Sequence, residues 1–301
     1  MKHAILGAGA IGGLIGTVLS SLGENVTVVV RPEKLPSYPA NLVLERPAGA
    51  GSLTAPAKAV AALTAPVDVL WIATKTYQLQ AALEAVQALP GCVVPLLNGV
   101  DHVAVLRARF GRERVVPATI AVEAEKIAPG RFIQRSPFVR FNLAASGEAL
   151  LGAVVGRLDN GQLGDLGFTC QFIPNEQTLL WGKLCFLAPF ALVTSASGMN
   201  VGEMLADAAW KQRLTSVIAE ACAVANAGGA EIAALQIQAG FESSPPGMRS
   251  SMQKDLVAGR QLELDAIGGP IVRGGERHGI DVSTTVKLMV EIQAKTVAHR
   301  P

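Results

Sequence analysis

Up to about residue 174 the chain alternates between short apolar runs and amphipathic segments, and after it only helical periodicity remains. "HAILGAGAIGG" begins as a short strand, breaks on glycines and runs into an apolar helix to about Leu22, after which "NVTVVV" supplies a second strand. "VDVLWIAT" (67–74) and "CVVPLLN" (92–98) are continuous apolar runs bounded by turn residues, as expected of strands buried on both faces of a parallel sheet. A helix is predicted between them, near Gln78 to Leu89. "RVVPATIAVEAEKIAPGRFIQRSPFVRFNLA" reads as extended strands with a turn at Pro129-Gly130, followed by a helix around Glu148 to Leu158 and a last strand, "FTCQFIP" (168–174). Beyond Pro174, Leu214, Val217, Ile218, Ala221 and Cys222 recur at helical spacing, and "TTVKLMVEIQAKTVA" carries a similar stripe. "RSSMQKDLVAGRQLELDAI" offers Ser250 or Ser251 as a helix N-cap, then Met252, Leu256, Glu263 and Ile267 on one apolar face, with Asp265 off it. "AGFESSPPGMRSS" reads as a loop and "GGPIVRGGERHG" as a glycine-loosened helix. The expected architecture is a parallel-sheet α/β domain over 1–174 followed by an all-helical domain over 175–301.

Composition narrows the class. A formal charge of +2 on 301 residues, 17% of them charged, leaves no basic stripe of the kind nucleic acid requires. Cys92, Cys170, Cys185 and Cys222 are scattered without a CxxC pair, so neither a zinc site, any other metal site nor a disulfide framework is expected, and a reducing cytoplasm fits. The first twenty residues imitate a signal peptide, and Gly9 and Gly13 imitate a membrane-helix contact motif. The strand on one side and "NVTVVV" on the other explain the same residues better as strand, glycine turn, helix, strand. Leu184 to Gly202 is uncharged, but Pro189 and the polar Thr194, Ser195, Ser197 and Asn200 argue against a membrane span.

Chemistry enters through the glycines. Gly7, Gly9 and Gly12 stand at GxGxxG spacing, where the first makes a tight turn, the second admits a pyrophosphate and the third lets helix and strand pack. Ala10 and Ile11 fall at the helix N-terminus that would face the anion. The first domain is therefore read as Rossmann-like and dinucleotide-binding. Where an NAD enzyme would carry Asp or Glu at the end of the second strand, this chain has Arg31, whose guanidinium suits a 2′-phosphate and favours NADP(H); the plain alternative is a solvated strand end. Asn98-Gly99 falls at the carboxyl end of a predicted strand, where ligands of open α/β sheets bind, although Asn98 also suits an ordinary turn. In the helical half, Lys183 is the only charged residue between Glu176 and Glu203 and is set among Trp181, Leu184, Phe186, Leu187 and Phe190. Glu263 on its apolar stripe is the second misplaced charge. A buried ion pair between helices would be a poor source of stability, whereas hydride transfer to a ketone leaves a developing alkoxide that an ammonium held by a carboxylate can protonate.

At this point the sequence resembles the ketopantoate reductases (2-dehydropantoate 2-reductases) over nearly its whole length. The matching pieces are "GAGAIGG", Arg31, Lys75 in "IATKTYQ", "LLNG" at Asn98, "LLWGKL" at Lys183, and "SSMQKD" followed by "ELDAIGGPIVRGGERHGI". The resemblance implies NADPH-dependent reduction of a small 2-oxo acid to a 2-hydroxy acid, the step before pantoate enters pantothenate synthesis, in the cytoplasm, with no membrane or nucleic-acid partner and with a homo-dimer allowed. It implies Lys183 as proton donor, Glu263 as its acidic partner, Ser251 as substrate-binding, Asn98 near both nicotinamide and substrate, and Lys75 near the cofactor. The departures are Leu187, Ala191 and Val201 where the family carries asparagines, with Pro189 one step early and Asn200 one residue before the expected place. The substrate-contacting wall at Leu187 and Ala191 is thereby apolar, which opens the alternatives of a more apolar 2-oxo acid, another carbonyl, or an NADPH-binding regulator without turnover. The retained Lys183 and Glu263 favour the enzyme.

Overall fold

The computed structural model describes residues 1–47, 51–159 and 167–298, and these divide into two compact units. The first comprises Met1–Leu97 and His102–Pro174, and the second Asn98–Asp101 and Asn175–Pro301.

In the first unit β1 (Lys2–Leu6) leads through glycines into α1 (Ala10–Ser21) and β2 (Asn25–Val29). A hairpin of β3 (Asn41–Glu45) and β4 (Ser52–Pro56) comes before β5 (Lys58–Val60) and β6 (Val69–Ile72), and a short α2 (Leu79–Leu83) before β7 (Cys92–Pro95). Then come α3 (His102–Phe110), β8 (Ala118–Ala121), β9 (Ala124–Ala128), β10 (Arg131–Gln134), β11 (Val139–Ala144), α4 (Glu148–Asp159) and β12 (Phe168–Ile173). Five parallel strands make the main sheet in the order β5-β2-β1-β6-β7. The order reverses between β1 and β6, and such a switch point is where open α/β sheets bind ligands. Two further sheets, β4-β3-β10-β9 and β12-β11-β8, complete the unit.

The mixed sheet of β4, β3, β10 and β9 accounts for the composition of α1. That helix packs on β1 and β2 and also on all four strands of the mixed sheet, so residues from Gly12 to Ser20 are buried. A helix covered this way has no polar face to keep, which is why its sequence imitates a leader segment. Its glycines set the spacing: a Cβ on Gly13 would lie 2.1 Å from the ring of the fully buried Phe132 on β10.

The second unit is helical: α5 (Glu176–Ser197), α6 (Val201–Ala206), α7 (Ala208–Ala227), α8 (Ala234–Glu242), α9 (Ser251–Val257), α10 (Leu264–His278) and α11 (Ser283–Ala298). α5 is long and apolar enough to cross a membrane, but most of it is buried, packed against α7, α9, α10 and α11 as the core helix of the unit.

Three local expectations change. The segment read as a helix from Gln78 to Leu89 keeps only one turn of α-helix, because the chain then bridges Val86 to Leu63 and bonds the Gln87 and Ala88 amides to the Leu63 carbonyl. α8 continues to Glu242, so the predicted loop begins later than "AGF". The helix read through "SMQKDLVAGRQLELDAI" is broken: Gly259 adopts φ +63°, α9 has ended at Val257, and α10 begins at Leu264. Glu263 therefore occupies the N-cap position of α10 and not a mid-helix stripe.

Candidate active site

The glycine turn has the form its spacing predicts. Gly7 adopts φ +100°, and a Cβ there would lie 2.6 Å from the Thr74 amide, so the turn presses against the chain leaving β6. On Gly12 a Cβ would lie 2.1 Å from the Gly7 carbonyl oxygen. A Cβ on Gly9, by contrast, would meet nothing within 4 Å. Gly9 is the N-cap of α1 and supplies no side-chain cap, so no capping side chain of its own competes for the first-turn amides, which begin with Ala10 and Ile11. Two glycines are demanded by packing and the third keeps a seat open at a positive helix end, which fits the diphosphate of a dinucleotide. Lys75 is half-buried at the start of the 3₁₀ turn after β6. Arg31 follows β2 and is largely exposed, with Nε 3.4 Å from Glu33 Oε1. Lys126, 118 residues from Ala8 and not singled out by any motif, donates from Nζ to the Ala8 carbonyl at 2.9 Å.

Asn98, Lys183 and Glu263 come together within the second unit. Asn175 caps α5 by accepting from the Thr178 amide, and Lys183 stands two turns farther on. Asn98 is held by a tight segment: Gly99 has φ +81°, and a Cβ on it would lie 2.2 Å from the Ala266 carbonyl oxygen at the start of α10. Arg273 fastens the same segment, binding Asp101 at 2.5 Å and Asp265 at 2.8 Å. Asn98 then bridges the two charges. Its Oδ1 accepts from Lys183 Nζ at 3.1 Å, and its Nδ2 donates to Glu263 Oε2 at 3.1 Å. Glu263 is only 6% exposed. Burial pushes the Lys183 pKa down to about 8, against the pull of the Glu263 carboxylate. The result is an ammonium that still holds its proton at neutral pH but gives it up more readily than a solvated lysine, the condition of a useful general acid.

The remaining positions divide. Ser250, not Ser251, is the N-cap of α9; it is fully buried, accepts from the Gln253 amide and shares a 2.8 Å bond with Thr194. Ser251 is exposed as the first residue of α9. Leu187, one turn after Lys183, is half-buried, whereas Ala191 is 1% exposed and Val201 is fully buried in the helical core. Asn200 caps α6 in a reciprocal capping box with Glu203, which commits its side-chain carbonyl.

Comparison with known proteins identifies the family. The family model described as ketopantoate reductase PanE/ApbA matches residues 3–147, and that of the PanE/ApbA C-terminal domain matches residues 175–296. A 2-dehydropantoate 2-reductase of Caulobacter vibrioides is 33% identical over 302 residues, covering 97% of this chain and 98% of the relative. The crystal structure of a PanE/ApbA family ketopantoate reductase from Ralstonia eutropha JMP134 superposes with a TM-score of 0.84 at 25% identity, covering 99% of both chains. The ternary structure of a D-mandelate dehydrogenase with NADH and anilino(oxo)acetate shares the fold, with a TM-score of 0.84 at 21% identity and 99% of both chains covered.

Proposed function

Because the chain belongs to the ketopantoate reductase PanE/ApbA family and is an oxidoreductase of that family, we propose that it reduces a 2-oxo acid to the 2-hydroxy acid with NADPH, Lys183 acting as general acid. The observation that carries this reading is the hydrogen-bonded series Lys183, Asn98, Glu263. When bound, NADPH supplies the hydride for the carbonyl carbon. The chain's own residues handle the charge that follows: as the carbonyl oxygen becomes an alkoxide, Lys183 Nζ transfers a proton to it. Asn98 fixes the rotamer of the lysine and links it to Glu263, whose carboxylate favours the ammonium before transfer. Ser251 is the candidate ligand for the substrate carboxylate.

On the cofactor side the open seat at Gly9 and the first turn of α1 would hold the pyrophosphate, with Lys75 at the edge of β6. Arg31, a cation in place of a ribose-binding carboxylate, favours NADPH over NADH. The D-mandelate dehydrogenase of the same fold was solved with NADH, so fold alone leaves this choice to side chains.

With ketopantoate as substrate the product is pantoate and the step belongs to pantothenate synthesis. A more apolar 2-oxo acid is the second reading, favoured by Leu187, which retains exposed surface one turn from the proton donor. The test is NADPH and NADH oxidation measured against ketopantoate and a panel of aliphatic and aromatic 2-oxo acids. No turnover with any of them would overturn the proposal.

A further inference from the structure

The mixed sheet does more than cover α1. Its strand β9 brings Lys126 to the glycine turn, where Nζ donates to the Ala8 carbonyl at 2.9 Å. The strand has little freedom to place this residue elsewhere, since β9 pairs with β10, β10 pairs with β3, and the sheet is locked onto α1 through Phe132 and Gly13. Two more cations, Arg31 after β2 and Lys34 in the 3₁₀ turn Pro32–Ser37 that follows, are near enough to act on it electrostatically. Burial of the ammonium, with repulsion from Arg31 and Lys34, holds the Lys126 pKa below the usual lysine value. Of the neighbouring carboxylates, Glu33 lies 3.4 Å from Arg31 and Glu125 is held by Arg135 at 2.5 Å.

Glu33 offsets Arg31 alone, and the positive charge left on Lys126 and Lys34 favours a further anion beside the glycine turn. The Ala8 carbonyl takes one of the three ammonium donors of Lys126 and leaves two for a ligand. The pyrophosphate is common to both nicotinamide cofactors and belongs at the N-terminus of α1, whereas the end of β2 is where this fold meets the adenosine ribose. Building on the NADPH reading above, we propose that Lys126 is a specificity-determining residue, the second arm of a clamp that, with Arg31, holds the 2′-phosphate of NADPH while anchored on the Ala8 carbonyl. The glycine motif and Arg31 lie in the first βαβ unit, but this arm comes from a hairpin outside it.

The test is calorimetric binding of NADPH, NADH and adenosine 2′,5′-bisphosphate to the wild type and to Lys126→Ala and Lys126→Gln. Loss of a charge-assisted contact is expected to weaken NADPH and the bisphosphate by about tenfold, with NADH changed less than about twofold. Lys126→Gln keeps a donor for Ala8 without the charge and is expected to behave like the alanine variant. Full recovery of NADPH affinity in the glutamine variant would show that the tether alone matters and overturn the clamp. Equal losses for NADPH and NADH, or unchanged NADPH binding, would overturn it as well. A wild type that binds NADH as tightly as NADPH would overturn the cofactor reading itself, and is seen before any variant is made.

Discussion

An ammonium and a carboxylate joined through one amide make a device in which the protonation state of the lysine is the variable that matters. Because burial lowers the Lys183 pKa to about 8, the protonated acid needed for reduction is present below that value and lost as pH rises through it. kcat/KM for reduction, which reports the free enzyme, is therefore expected to fall above about pH 8. Lys183→Ala should lower turnover by about a hundredfold or more, abolish that limb of the profile and leave NADPH affinity nearly unchanged. Near wild-type rates in the variant would remove Lys183 from its role. Leu187 carries the second prediction at this scale. With Ala191 and Val201 packed into the core, it is the one of the three apolar replacements that keeps exposed surface. A 2-oxo acid with a plain branched or aromatic tail should be reduced more efficiently than ketopantoate, and Leu187→Asn should shift the ratio toward ketopantoate by about 1–3 kcal/mol, measured as kcat/KM for each. A wild-type preference for ketopantoate would show that backbone or water supplies the missing polar contacts.

At the scale of the element, α1 separates two uses of glycine. Replacing a helical glycine by alanine ordinarily gains up to about 1 kcal/mol. At Gly13 the new Cβ would collide with the fully buried ring of Phe132, and overpacking of that kind costs roughly 1–3 kcal/mol, so urea denaturation of Gly13→Ala should show a net loss. At Gly9 nothing in the protein opposes a Cβ. Gly9→Ala should leave the urea midpoint nearly unchanged yet weaken binding of both NADPH and NADH, because its methyl group projects into the seat proposed for the pyrophosphate. Unchanged affinity would mean that the phosphates do not approach this residue. The break at Gly259 is an element-scale feature of another kind, since by ending one helix it frees Glu263 to sit at the start of the next, in reach of Asn98.

For the whole molecule, a ligand that binds only the folded chain stabilises it in proportion to RT ln(1 + [L]/Kd), about 2.7 kcal/mol at a hundredfold excess over Kd. NADPH should thus raise the thermal midpoint more than NADH at equal concentration, and the difference should shrink in Arg31→Ala. An equal rise for both cofactors would place the cationic group away from the ribose.

Local pattern was enough for the elements that are locally specified. Continuous apolar runs marked the strands of the parallel sheet, glycine spacing marked the turn before α1, and an isolated lysine in an apolar helix marked itself, because each signal is a cost or a preference expressed within a few residues. The amide bridge from Lys183 through Asn98 to Glu263 was not legible in that way, since its members are 85 and 165 residues apart and only packing of the Asn98–Asp101 segment against α10 unites them. Periodicity also mistook the setting of Glu263, because a glycine at positive φ interrupts a helix without disturbing the spacing of apolar residues on either side. The hydrophobic pattern could not tell which of Leu187, Ala191 and Val201 face the core, for all three are apolar and burial depends on what lies opposite. Lys126 gave no signal at all: a lysine on a short strand looks solvated until the register of the mixed sheet carries it to the glycine turn. Sequence determined which chemistry the chain holds, and tertiary structure decided which residues meet, because meeting is set by strand register, glycine-permitted approach and burial, all of which are non-local.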